Sequence, residues 1–111
     1  MSTRLEQWYD LKDKVVVLTG ATGRLGRHYA DVISETGAHV VLVDLDQSVC
    51  EALAEELASR HGTSPLGVSV DITDKDAVFQ AVEGIIDRYG EIDILINNAA
   101  AQQITVFDGD L

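Results

Sequence analysis

Cysteine is almost absent from this chain of 111 residues. Cys50 stands alone, so no internal disulfide can form and no cysteine cluster can hold a metal. A single thiol fits a reducing compartment, and a cytoplasmic location is the expectation. Basic residues are scarce as well. Eight Lys and Arg face nineteen Asp and Glu, a formal net charge of -11. That balance argues against nucleic acid and against anionic membrane surfaces as partners, because no basic patch is available to neutralise phosphates. Long apolar runs are missing too: nothing approaches the roughly 18 residues that read as a membrane-spanning helix. The opening MSTRLEQWYD lacks the apolar stretch of a signal peptide. His28, His39 and His61 have no metal-ligand spacing and suit surface or packing roles. The one proline, Pro65, falls in a short connection.

What is present suits one domain with a buried core, at 46% hydrophobic residues. The length is short for a complete doubly wound enzyme. The organising stretch is Val15 to Gly26, VVVLTGATGRLG. It reads as a buried strand, a glycine-rich turn and the start of a helix. Gly20 lets the chain leave the strand through backbone angles that a Cβ resists. Gly23 and Gly26 keep side chains away, so that backbone N–H groups can approach a pyrophosphate at the positive end of the helix. A tight turn without a ligand is the competing explanation.

The rest alternates strand and helix. Lys14 to Thr19 is a strand, buried on both faces because Val15 to Leu18 are all apolar. The helix after the turn carries a stripe of Leu25, Tyr29, Val32, Ile33 and Thr36 and stops at Gly37. His39 to Val43 is the second strand, and a helix from Asp46 to Arg60 follows, with Val49, Leu53 and Leu57 inward and Gly62 closing it. Leu66 to Val70 is the third strand. Thr73 is placed as an N-cap with Asp76 completing a capping box. The helix from Asp74 to Tyr89 buries Val78, Val82, Ile85, Ile86 and Tyr89 and ends at Gly90; Ile92 to Ile96 is the fourth strand. In the polar lead-in, Trp8, Tyr9 and Leu11 are expected to pack on the sheet edge or the first helix. The order βαβαβαβ predicts an α/β fold, a Rossmann-like doubly wound parallel sheet with helices on both faces.

Three strand ends carry candidate chemistry. Asp44 ends the second strand, eighteen residues beyond Gly26. A carboxylate there can accept hydrogen bonds from the hydroxyls of an adenosine ribose and repel a 2′-phosphate. Leu45 and Asp46 follow, so no arginine is placed to receive that phosphate, which favours NAD over NADP. The alternative is that Asp44 merely begins a turn or caps the next helix. Arg24 in the glycine loop is suited to the pyrophosphate or to solvent. Asp71 and Ile72 end the third strand and can border an adenine ring. Asn97 and Asn98 end the fourth and can tie neighbouring strand ends together, while Ala99 and Ala100 leave room for a ligand against the backbone.

TGATGRLG, VDLD, VDITD and NNAA, in this order and spacing, resemble the N-terminal half of a short-chain dehydrogenase/reductase over about residues 11 to 102. By that likeness Gly20, Thr22, Gly23, Arg24, Leu25 and Gly26 would surround the pyrophosphate. Asp44 and Leu45 would meet the adenosine ribose, Asp71 and Ile72 the adenine, and Asn97 and Ala99 would lie along the cofactor. The resemblance implies hydride transfer between a nicotinamide cofactor and a small alcohol or carbonyl substrate, in a homo-oligomeric full-length protein.

Two departures stand out. Where the compact branch of the family has TGxxxGxG, this sequence has TGxxGxxG with Arg24 in place of a glycine. That pattern is similar to the extended branch of sugar-nucleotide epimerases and dehydratases, whereas VDITD and NNAA are similar to the compact one. The family's catalytic Tyr-x-x-x-Lys is also missing: four residues beyond Tyr9, Tyr29 and Tyr89 stand Asp13, Ile33 and Asp93. The expectation is a cofactor-binding portion of a longer enzyme, 1–111, inactive alone, whose truncation would expose IDILI as an apolar edge. A nucleotide-binding module that works without catalysis, or an epimerase or dehydratase fragment, are the other readings.

Overall fold

Strands without polar alternation need cover on both faces, and helices supply it on each side of one parallel sheet. The computed structural model describes residues 10–99. The elements are β1 (Val15–Thr19), α1 (Arg24–Glu35), β2 (His39–Asp44), α2 (Gln47–His61), β3 (Leu66–Ser69), α3 (Lys75–Tyr89) and β4 (Ile94–Asn97). The strand order is β3-β2-β1-β4, and every pairing is parallel. The chain therefore adds strands outward from β1 to β3 and then crosses back to the other side of β1. That reversal between β1 and β4 opens a crevice at the carboxyl ends of the strands, as in doubly wound folds. The expected α/β Rossmann-like order is the one observed.

Alternate residues of each strand feed two cores. Leu18, Val40 and Leu42 pack with Ala30 of α1 and Leu53, Ala54 and Leu57 of α2. Val15, Val17, Val41 and Val43 pack with Ile85 of α3 and Val70, with Val78 and Tyr89 partly buried beside them. The edge strand β3 is covered closely by α2. A Cβ on Gly67 would stand 2.6 Å from the Cys50 carbonyl carbon. Gln47 spans the same place, donating to the Gly67 carbonyl oxygen at 3.0 Å and accepting from Ser69 N–H at 2.8 Å. Those two bonds satisfy edge groups that would otherwise be open. Among the described residues nothing pairs with the outer edge of β4, where Leu95 is 64% exposed.

The helices differ from expectation in which faces they bury. On α1 the buried residues are Gly26, Ala30 and Ser34, with Ile33 partly buried, whereas Leu25, Tyr29 and Val32 are exposed. Small side chains let this helix lie close on β1, and a stripe picked by large apolar residues points elsewhere. On α2, Leu53 and Leu57 face inward as expected, joined by Cys50 and Ala54, while Val49 is half-buried. On α3, Ile85 is buried, but Val82 and Ile86 are exposed.

The N-cap of α3 is Asp74, not Thr73. The Asp74 carboxylate accepts from Ala77 N–H at 3.2 Å, while both the hydroxyl and the N–H of Thr73 donate to Asp71. Thr73 is turned back toward Asp71 in the preceding turn, and the cap falls to the neighbouring carboxylate. Gly37, Gly62 and Gly90 have positive φ at the helix C-termini, as their positions suggested. Leu11 is half-buried, whereas Trp8, Tyr9 and Ala100 lie outside the described residues. No described helix is long and apolar enough to cross a membrane.

Candidate functional site

The glycine turn is built by the strand ends around it. Gly20 has φ +66°, and a Cβ there would stand 2.9 Å from Ala99 Cα. Its carbonyl oxygen accepts from the Asn98 side-chain amide at 3.2 Å. Ala21, fully buried, donates its N–H to the Val43 carbonyl at 3.2 Å. A Cβ on Gly26 would collide with the Gly20 carbonyl oxygen and stand 2.8 Å from Ala21 Cα. That residue is glycine because helix and turn touch there. Gly23 differs: its φ is −73° and a Cβ would be 3.5 Å from the nearest atom. Packing within the chain does not demand a glycine at 23.

The three helix starts are treated differently. Asp46 and Asp74 cap α2 and α3 through their carboxylates. The N-cap of α1 is Gly23, which has no side chain to offer, and no acidic residue occupies its first turn. Its first backbone hydrogen bond to the cap runs from Arg27 N–H to the Gly23 carbonyl at 2.9 Å. The N–H groups of Arg24, Leu25 and Gly26 precede that bond and have no carbonyl in their own helix to meet.

These groups open onto a cleft of about 680 Å³ at the carboxyl ends of the strands. Of the residues singled out from the sequence, Gly20, Gly23, Arg24, Leu25, Gly26, Asp44, Leu45, Asp71, Ile72 and Ala99 line it. Thr22 and Asn97 do not. Thr22 lies behind Asp44: its hydroxyl and its N–H both donate to Asp44 Oδ2, at 2.7 and 3.0 Å. Asn97 accepts from the Thr19 hydroxyl at 3.1 Å, and the same hydroxyl oxygen accepts from Ala99 N–H at 2.9 Å. The two asparagines thus tie the ends of β1 and β4, as their position suggested.

Val43, Val70 and Thr73 also line the cleft and are not among the residues singled out for the site; Asn98, expected only to tie strand ends, lines it as well. Val43 and Val70 each stand next to a named aspartate, so the strand-end reasoning that found Asp44 and Asp71 could have reached them. Leu45 is largely exposed at the cleft and Ile72 partly so. Two exposed aliphatic side chains facing one opening suit a flat apolar ring between them.

Asp44 lines this cleft together with two other ionisable side chains, Arg24 and Asp71. Burial raises its pKa, but the Thr22 hydroxyl, the Thr22 and Leu45 N–H groups and the charge of Arg27 together outweigh that and hold it below the ordinary carboxylate range. Asp71 is lowered by the Thr73 hydroxyl and N–H. Both are therefore carboxylates at neutral pH. Cys50 is buried away from the cleft lining, and burial pushes its thiol up, so it is not an activated nucleophile. The described residues hold no cluster of His, Cys, Asp and Glu suited to a metal ion.

Comparison with known proteins agrees with this fold. The sequence model for short chain dehydrogenase matches residues 14–109. The chain is 35% identical over 104 residues to fluoren-9-ol dehydrogenase of Terrabacter sp., covering 93% of this chain and 29% of that protein. It is 40% identical over 91 residues to NAD-dependent glycerol dehydrogenase of Listeria innocua, covering 82% and 34%. Among solved structures it superposes on L-sorbose reductase from Gluconobacter frateurii, complexed with NADPH and L-sorbose. There the TM-score is 0.78 at 33% identity, over 83% of this chain and 36% of that one. The chain spans about a third of the length of these relatives.

Proposed function

The chain belongs to the short chain dehydrogenase family, and from that premise we propose that it holds the adenosine and pyrophosphate end of NAD in an alcohol- or carbonyl-transforming oxidoreductase. The observation that carries the reading is the bare first turn of α1. Two of the three described helices are capped by the carboxylate of their own N-cap residue, and the one that opens on the cleft is not. An anion at that end would meet three N–H groups that have no partner among the described residues, and the positive end of the helix dipole. Gly20, where a Cβ would crowd Ala99, keeps the floor of the cradle low.

From the cradle the cleft leads past Asp44 to Leu45 and Ile72. A ribose beside Asp44 and an adenine between the two aliphatic side chains follow that order. The preference for NAD rests on the Asp44 carboxylate, which would repel a 2′-phosphate. L-sorbose reductase binds NADPH, so the scaffold by itself does not make the choice. When bound, the nicotinamide ring exchanges a hydride with a substrate carbon. The residues of this chain orient the other end of the cofactor. No Tyr-x-x-x-Lys occurs in the sequence, and the chain alone is proposed to bind without turning over. A small alcohol or carbonyl substrate, a homo-oligomeric whole protein and a cytoplasmic setting complete the reading, with residues 1–111 as an incomplete dinucleotide-binding unit.

Titration of the purified chain with NAD and NADP tests it. Saturable binding that favours NAD, weakened tenfold or more in Asp44→Ala, is the expected result. Binding indifferent to Asp44, or substrate-dependent formation of NADH by the chain alone, would overturn it.

A further inference from the structure

Thr22 was placed by resemblance in the pyrophosphate loop, yet it does not line the cleft. It is held at three points. Its N–H and its hydroxyl both donate to Asp44 Oδ2, at 3.0 and 2.7 Å. Its carbonyl oxygen accepts from Arg27 Nε–H at 2.9 Å. One loop residue therefore joins the end of β2 to the first turns of α1.

The bonds divide the two oxygens of the Asp44 carboxylate. Oδ2 accepts twice, which fills the two acceptor directions of one carboxylate oxygen. Among the described residues Oδ1 accepts once, from Leu45 N–H at 2.9 Å, and keeps one direction free. A carboxylate held this way cannot swing freely about its last torsion, and it offers a ligand hydroxyl one oxygen in one place. Holding an acceptor before the ligand arrives removes an ordering cost from binding.

We propose that Thr22 is the positioning residue that sets NAD-over-NADP selectivity, by filling Asp44 Oδ2 and leaving Oδ1 as the single acceptor for a ribose hydroxyl. This rests on the cofactor reading given above. The Thr22 hydroxyl is the separable part. Its N–H reaches Asp44 whatever the side chain, so Thr22→Val deletes one bond while keeping the shape and the backbone contact. Thr22→Ser keeps the hydroxyl.

The test measures NAD and NADP dissociation constants for the unsubstituted chain, Thr22→Val, Thr22→Ser and Asp44→Ala, with thermal unfolding of each. In Thr22→Val, NAD affinity falls about three- to tenfold, the cost of ordering one side chain that is no longer held before the ligand arrives. NADP affinity stays level or rises, so the selectivity ratio falls by at least as much. Thr22→Ser restores the ratio. A general loosening of the loop would weaken both cofactors alike, and that result overturns the proposal. If Asp44→Ala abolishes selectivity while Thr22→Val leaves it intact, the cofactor reading stands and the role of Thr22 is wrong. If the unsubstituted chain binds neither cofactor, both fall. Should Thr22→Val fail to fold, Thr22→Ala supplies the same deletion, and an unchanged selectivity ratio there overturns the proposal equally.

Discussion

The Thr19 hydroxyl donates to Asn97 Oδ1 at 3.1 Å, and its oxygen accepts from Ala99 N–H at 2.9 Å. One nearly buried hydroxyl at the end of β1 thus satisfies a side chain and a backbone group of the segment leaving β4. Thr19→Val keeps the volume and removes both bonds, leaving a partly buried N–H unpaired. A loss of about 1–3 kcal/mol is expected, read as a lower urea midpoint at unchanged slope. Thr19→Ser should stay close to the unsubstituted chain. A Thr19→Val variant of full stability would mean that the β1–β4 junction is held by the strand ladder alone.

Gly23 and Gly26 look alike in the motif and should respond in opposite ways. Gly26→Ala puts a methyl group into the Gly20 carbonyl and against the Ala21 backbone, where no flexible side chain can yield. It should cost several kcal/mol, at or beyond the ~3 kcal/mol upper range of overpacked cores. Gly23→Ser meets only an ordinary contact, 3.5 Å from the Gly20 carbonyl oxygen, in a backbone conformation that any residue adopts. A serine there supplies the missing N-cap of α1 and restricts the unfolded chain, for a gain of about 0.5–1 kcal/mol. Circular dichroism melts of the two variants check the pair, and equal destabilisation would refute the distinction.

Much of this was legible beforehand because strands in parallel sheets declare themselves. Val15 to Leu18 and Val40 to Val43 are unbroken apolar runs, and the residues that follow them must lie at the carboxyl edge where the cleft forms. Strand ends bring Asp44 and Asp71 to the cleft lining, whereas Asn97, at the end of β4, ties β4 to β1 instead. The buried face of α1 was not legible, because Gly26, Ala30 and Ser34 pack by being small, and apolar periodicity weights large side chains such as Leu25 and Val32. The Thr22–Asp44 pair was hidden for another reason. Its partners are 22 positions apart, and a threonine in a glycine loop has no pattern that marks it as a donor to a distant carboxylate. The cap of α3 was misassigned by one residue because Thr73 and Asp74 are both good caps, and only the turn around Asp71 decides between them.

The acid limb of stability should carry the mark of Asp44. Its pKa is lowered in the folded chain. A depressed carboxylate contributes stability that is fully present above the ordinary aspartate value of about 3.9 and is lost as pH falls through its folded value. Protonation across the other acidic residues also relaxes the repulsion of a chain at -11, so a single pH curve mixes two effects of opposite sign. The difference between the unsubstituted chain and Asp44→Asn largely cancels the common part. That difference in Tm should be constant from pH 7 to about 5 and narrow below about 4. A gap that stays constant down to pH 3 would show that the charge on Asp44 contributes nothing to the fold.

Ser34 is fully buried in α1, and its hydroxyl has no hydrogen-bond partner among the described residues. The backbone around it is otherwise complete: its carbonyl accepts from Gly37 N–H at 3.0 Å. Ser34→Ala removes an unsatisfied polar group, adds the best helix former, and leaves a gap no larger than one oxygen. The expected gain is about 1 kcal/mol, from relieved desolvation and from propensity. For a domain of this size that is a rise of roughly 4 °C in Tm. Thr63, whose hydroxyl is likewise buried without a partner, lies outside the helices and separates the two contributions. Thr63→Val should gain only the desolvation part. An unchanged Tm in both variants would mean that buried water meets these hydroxyls, and a fall in Ser34→Ala would mean that the hydroxyl fills space the core cannot close.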